Sequence, residues 1–212
     1  MDPFPMFPLG TTLLPGSGVP LQVFEPRYRR MVQDILASDG APEFGQVLIT
    51  RGREAGGGDV RSDVGTLARM TDIRAVDDGR YTFVAVGVAR IRVVEWRPDD
   101  PYPRASIEQW PDEPRSVDAG PVGERVEEVT ERVVHLLELA ARVAGGEGGT
   151  PPDVRTGLAS DASMAVYMLA AMAPIGPADR YNVLAAAGLD VRLRVLSAAL
   201  DDAEAMLIFR LS

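Results

Sequence analysis

The sequence predicts an α+β protein, with a β-rich N-terminal lobe that carries one helix and an all-helical C-terminal lobe. Three observations predict it. Apolar residues recur in short runs or with period 2 up to about Trp110, and with a period near 3.6 beyond it. A stretch rich in Pro, Asp and Gly, Pro111 to Gly123, separates the two regimes. The 212 residues are 46% hydrophobic and 25% charged, which is ordinary globular composition with enough apolar material for a core. The expected division is a β-rich lobe over 1–112 and a helical lobe over 113–212.

The elements follow in order. Phe7-Pro8-Leu9, Leu13-Leu14-Pro15 and Val19 to Phe24 alternate apolar runs with Pro and Gly, which suits edge strands and turns. Glu25 to Leu36 predicts a helix. Pro26 fits its first turn, Tyr28, Met31, Val32, Ile35 and Leu36 share one face, and Gly40 supplies a stop. Strands are expected over Gln46–Thr50, around Thr66–Ile73, over Tyr81–Trp96 and over Tyr102–Trp110. Asp77-Asp78-Gly79 is a hairpin turn signal, and Arg51 to Asp59, with Gly56-Gly57-Gly58, reads as a mobile loop. Five or six strands with one helix suggest a compact barrel-like sheet.

Four helices are expected after the boundary. Val122, Val126, Val129, Val133, Leu136, Ala140 and Val143 make one stripe of a long helix whose other face carries glutamates. A second helix spans Ser160–Ala173, with Ser160 or Asp161 as its N-cap. A third spans Pro177–Ala187. The fourth, Leu189–Phe209, carries Leu189, Leu193, Leu196, Leu200, Ala203 and Leu207 on one face.

Composition excludes several chemistries. The chain has no cysteine, so disulfides, thiolate metal sites and thiol catalysis are absent. It has no lysine either, so no Walker A loop, Ser–Lys dyad or Schiff base can form, and arginine stays protonated and cannot replace lysine as a base. The net charge of −9 disfavours general binding to phosphate backbones. No apolar run approaches a membrane span, and the first residues lack the pattern of a signal peptide, so a cytoplasmic location is expected.

Candidate sites are few. His135, the single histidine, lies beside the helical stripe without companion ligands, and reads as a surface residue. The acid pairs Asp77/Asp78, Asp99/Asp100 and Asp201/Asp202 suit turns and solvent better than acid–base work across a cleft. Arg27, Arg29 and Arg30 read as a solvated helix face with Glu25 as a local partner. Phe4, Phe7, Phe24 and Tyr28 form an aromatic group. Those that are buried serve the core, and any left exposed would make an apolar docking patch. The expected contacts for a ligand are Phe24, Tyr28, and Arg51, Glu54 and Asp59 of the glycine-rich loop. No cofactor or metal is expected.

The run Phe7-Pro8-Leu9-Gly10, Leu14-Pro15-Gly16, Val19-Pro20-Leu21 and Phe24-Glu25-Pro26-Arg27-Tyr28 resembles the opening of the LON substrate-binding domain, the N-terminal domain of Lon proteases. Val64 to Met70, Asp78 to Val93, and Pro174 to Leu196 resemble its later blocks. The resemblance implies a PUA-like pseudo-barrel followed by a helical bundle. It also implies non-catalytic recognition of unfolded or degron-bearing polypeptide. The ATPase and Ser–Lys protease regions of a full Lon are not in the sequence, which looks more like a stand-alone bacterial member. The expected partners are polypeptide substrates or a protein partner, with no nucleic acid and no membrane, and with weak self-association left open. Three rivals stand beside this reading: a PUA-like RNA-binding module, a carboxylate hydrolase, and a regulatory subunit with one fixed protein partner.

Overall fold

The computed structural model describes residues 3–52, 58–76, 78–115, 120–145 and 153–211. The chain divides into two compact units, Met1–Trp110 and Pro111–Ser212.

The first unit contains β1 (Phe4–Leu9), β2 (Gly18–Val23), α1 (Pro26–Ala37), β3 (Glu43–Arg51), β4 (Val60–Ala75), β5 (Tyr81–Trp96) and β6 (Arg104–Gln109). They form one sheet in the order β2-β5-β4-β3-β1-β6, and β5 pairs with β6 as well. Every pairing is antiparallel except β1 with β3. The 16-residue β5 decides the topology. One of its edges runs along β4, and the other is shared, with Tyr81–Val86 on β2 and Ile91–Trp96 on β6. β5, β4, β3, β1 and β6 thus close into a ring, while among the described residues β2 is attached through β5 alone.

This corrects the expectation that the first apolar run is an edge strand. β1 lies between β3 and β6. Its prolines are tolerated because each falls where one neighbour's pairing is missing. Pro5 precedes the β3 ladder, which begins at Met6, and Pro8 lies beyond the β6 ladder, which ends at Pro5. The true edge is β2, which carries Pro20. The strand expected around Thr66–Ile73 is longer than that and starts at Val60, paired with Arg51. Asp78 and Gly79 form the β4–β5 turn, with Gly79 at φ +78 and its N–H donating to Val76. Asp77 lies outside the described residues.

Successive side chains of a strand point to opposite faces. Met6 therefore packs with Val47, Ile91, Val93 and Ala105, while Phe7 joins Leu9, Val23, Phe44, Met70 and Phe83. The Phe7 cluster also takes Tyr28, Met31, Val32 and Ile35 from α1. That helix begins with Pro26 at its first turn and ends at Ser38, whose N–H and hydroxyl both bond the Ile35 carbonyl. Ser38, not Gly40, closes it. Two strand glycines are set by close approach: a Cβ on Gly65 would lie 2.3 Å from the Gln46 carbonyl oxygen, and one on Gly87 2.3 Å from that of Leu14.

The second unit contains α2 (Val122–Val143), α3 (Ala162–Met172), α4 (Pro177–Ala185) and α5 (Leu189–Leu211). In α2 the buried line is Val129, Thr130, Val133, Leu136 and Leu139, so Leu139 takes the inward place expected of Ala140. In α5 the whole expected stripe is buried, with Arg192 inside it. Asp161 caps α3 by accepting from the Met164 N–H at 2.9 Å. Arg125 of α2 meets Asp190 of α5 at 2.6 Å, Arg132 pairs with Asp201, and His135 faces Glu204 at 3.5 Å. His135 is exposed, as its place in the sequence suggested. No described helix is long and apolar enough to cross a membrane.

Among the described residues Arg192 is the largest fully buried side chain, at 0% exposure. Its guanidinium grips Asp112 in a fork (2.5 and 2.9 Å), bonds the Ser163 hydroxyl oxygen (2.6 Å) and stacks over Tyr167 at 3.8 Å. A buried charge is tolerable when it is paired in this way. Removing only the carboxylate should be costly, because the cation stays behind. Asp112→Ala is expected to lower the unfolding free energy by about 3–5 kcal/mol. The double variant Asp112→Ala/Arg192→Met should lose less than that single variant. Urea unfolding of the three proteins checks both.

Candidate functional site

Among the described residues no ladder joins β1 to β2, so the sheet stays open between them. α1 fills most of the gap with Tyr28 and Met31. What remains is a groove of about 180 Å³ lined by Phe7 and Leu9 of β1, Leu21, Gln22 and Val23 of β2, and Phe24, Glu25 and Tyr28 at the start of α1. The volume suits one or two apolar side chains.

Phe24 stands at the rim with 62% of its surface exposed. It falls between the end of β2 and Pro26, where neither strand alternation nor a helical face turns it inward. Tyr28 is 3% exposed and makes the floor, its ring 4.3 Å from that of Phe7. Burial pushes its hydroxyl up to about 12; Arg27 and Arg61 pull it down, and Glu25 and Asp59 add to the rise, by smaller amounts. Arg27 stacks on the Tyr28 ring at 4.5 Å and donates to Glu25 at 3.1 Å, so the charges at the rim are paired. Arg30 is held by Asp34 at 2.9 Å.

The edge beside the groove offers limited backbone pairing. The Gly87 N–H donates to Ser17, so by alternation Val19, Leu21 and Val23 turn their polar groups to β5. Gly18, Pro20 and Gln22 turn theirs outward, and Pro20 has no N–H. A continuous added strand is thereby discouraged, while Gln22, next to Phe24, keeps both donor and acceptor.

A second feature sits near the same end of α1. Arg61 of β4 donates to Asp59 (Nε to Oδ2, 2.7 Å) and to Asp99 (Nη1 to Oδ1, 2.9 Å), and stacks over Trp96 at 4.8 Å. The Asp59 side chain is 3% exposed and that of Arg61 11%. Burial alone would raise the Asp59 carboxyl, but the Arg61 hydrogen bonds outweigh it and hold the group below the ordinary carboxylate range.

Of the residues expected to contact a ligand, the structure places Phe24 and Tyr28 on the groove. It binds Asp59 to Arg61 and leaves Arg51 exposed at the end of β3. Glu54 lies outside the described residues. Arg61, Trp96 and Asp99 were not singled out from the sequence; Arg61 and Asp99 are 38 residues apart, and no local pattern links them. Two larger clefts lie on α5, of about 350 Å³ against α2 and about 450 Å³ against α4. Alanines and charged side chains line them in large part, and no aromatic ring lines either one. Among the described residues no group of three metal-binding side chains occurs.

Comparison with known proteins gives concordant results. The family model of the ATP-dependent protease La (LON) substrate-binding domain matches residues 3–202. A Lon protease 2 of Sorangium cellulosum (strain So ce56) is 29% identical over 201 residues, covering 93% of this chain and 24% of that protein. A Lon protease 2 of Myxococcus xanthus is 29% identical over 143 residues, covering 65% of this chain and 17% of that protein. The chain thus spans a quarter or less of the length of these curated relatives. A crystal structure of a Lon N-terminal domain protein from Xanthomonas campestris superposes with a TM-score of 0.62 at 25% identity, covering 93% of this chain and 98% of that one. The N-terminal domain of the Mycobacterium avium complex Lon protease shares the fold, with a TM-score of 0.65 at 16% identity, covering 95% of this chain and 99% of that one.

The depressed Asp59 carboxyl makes a signed prediction. Its contribution to stability is complete above the unfolded-state value of about 3.9 and drains away as pH falls through the lower native value. Asp59→Asn should therefore be less stable than the wild type at pH 6, and the difference should shrink towards zero as the pH approaches about 2. Urea unfolding of both proteins across that range measures it.

Proposed function

The chain belongs to the LON substrate-binding domain family, and from that premise we propose that it captures exposed apolar segments of other polypeptides at the Phe24 groove without breaking bonds in them. The observation that carries this reading is the exposed Phe24 ring above an apolar groove whose rim charges are already paired. A client side chain entering the groove would exchange water for Phe7, Leu21 and Tyr28, and each well-buried side chain contributes roughly 1.5–3 kcal/mol. Glu25 and Arg27 neutralise each other at the rim, so selectivity by charge would come from the net −9 of the whole chain, which favours basic clients.

Degron-bearing and unfolded chains are the clients this site would take, since both present apolar residues in extended backbone. Arg51 and Glu54 are proposed as outer contacts. Tyr28 acts as floor, and Asp59, held by Arg61, supports the site from below its surface. The same reading assigns the client groove to a PUA-like β lobe over 1–112 and treats the helical lobe over 113–212 as a separate body. It requires no cofactor. A Ser–Lys dyad cannot be built from this sequence, because it lacks lysine.

Fluorescence anisotropy with a labelled, permanently unfolded protein tests the proposal. Phe24→Ala should weaken binding at least about fivefold, the size expected for removing an aromatic anchor. Val94→Ala, which removes another exposed apolar side chain of the same unit, should leave it unchanged. Equal affinity for wild type and Phe24→Ala would refute the site. Tight binding of RNA that weakens steeply with salt would overturn the function.

A further inference from the structure

Among the described residues, α5 is the one helix of the second unit with large exposed apolar side chains. Met206 is 54% exposed and Phe209 82%. They lie three residues apart, away from the buried line of Leu200, Ala203 and Leu207. Going back one turn brings Asp202 to this face, and Arg210 flanks it at the other end; both are exposed. The neighbouring acids are turned to α2, where Asp201 pairs with Arg132 and Glu204 faces His135. The stripe of α5 through 202, 206, 209 and 210 therefore reads acid, apolar, apolar, base, while Ile208, 50% exposed, lies on a different side of the helix.

We propose that this face is a self-complementary contact through which two copies of the chain associate, with their α5 ends antiparallel about a two-fold axis near Met206. A two-fold contact uses one patch twice, so each residue of the patch must suit its opposite number. Centred on Met206, the antiparallel arrangement places Asp202 of one copy opposite the partner's Arg210, and does so twice. Met206 and Phe209 of both copies then share the middle. A parallel arrangement would set Asp202 against Asp202 and Arg210 against Arg210. Sliding the antiparallel pair by eight residues, about two turns, to lay Met206 over Ala198, would also bring the two Asp202 side chains together. Like charges so opposed are penalised, so charge selects the register that apolar burial alone would leave loose.

The contact is small, well under the roughly 1,200 Å² of a standard stable interface, so the dimer is weak and depends on concentration. Met206, Phe209 and Arg210 lie beyond the 3–202 span matched by the family model. The contact therefore goes beyond the substrate-binding reading, and its failure would leave that reading untouched.

Sedimentation velocity of the full chain, from about 10 μM to about 1 mM at low salt, tests it. The wild type should shift towards a dimer with rising concentration and stop there. Phe209→Ser, Asp202→Arg and Arg210→Asp should each weaken association about tenfold, with thermal melts by circular dichroism unchanged. The double reversal Asp202→Arg/Arg210→Asp should restore it to within about threefold of the wild type. Three results would overturn the proposal. They are a monomer at every concentration, which would leave the face to a different chain, growth past the dimer, and a double reversal no tighter than either single one.

Discussion

β5 gives one edge to two strands, and the geometry of the first unit follows from that division. Residues 81–86 of β5 hold β2, and residues 91–96 hold β6. Closure through β6 makes a ring of five strands, but the same closure leaves β2 without a second neighbour. The sheet therefore cannot seal between β1 and β2. An open sheet would leave Phe7, Leu9 and Phe83 wet, and burial of such side chains is the main force holding a unit of this size together. α1 answers the constraint by laying Tyr28, Met31, Val32 and Ile35 into the opening. A helix is a poor stopper for a slot between two strands, and the residual groove under Phe24 is what it leaves. On this account the groove is a consequence of how the sheet closes.

Arginine holds the loops and linkers together. Arg61 joins the segments that lead into β4 and out of β5 through Asp59 and Asp99, and packs its plane on Trp96. Arg192 joins Asp112 and Ser163 and packs its plane on Tyr167. Trp110 lies between Arg90 and Arg92, each 4.1 Å from the ring centre. A forked, planar cation can serve two acceptors and an aromatic face at once; an ammonium cannot. A chain without lysine can therefore still tie distant segments together, while losing the amine that lysine could offer as a nucleophile or base.

The sequence made local structure readable where a period persisted long enough. β5 runs over the residues expected of it, the α5 stripe from Leu189 to Leu207 is buried throughout, and Pro26 opens α1. Neighbour relations were not readable. β1 looked like an edge because of its prolines, and nothing in six residues announces that β3 and β6 will flank it, the β3 ladder missing Pro5 and the β6 ladder missing Pro8. The site divides in the same way. Phe24 could be singled out as an aromatic at a strand–helix junction. The Tyr28 floor followed from its place on the helical face. Arg61 depends on a partner 38 residues away and on an aromatic ring in a third segment, so only the folded chain shows it.

The central claim is that another polypeptide is met at the slot between β1 and β2. Amide chemical-shift mapping of the labelled chain, titrated with an unfolded protein, tests it most directly. The account predicts that the perturbed amides cluster over residues 21–28 and the adjoining parts of β1, with the second unit unmoved. Perturbations confined to the helical unit, or none at a client concentration that saturates binding, would contradict it.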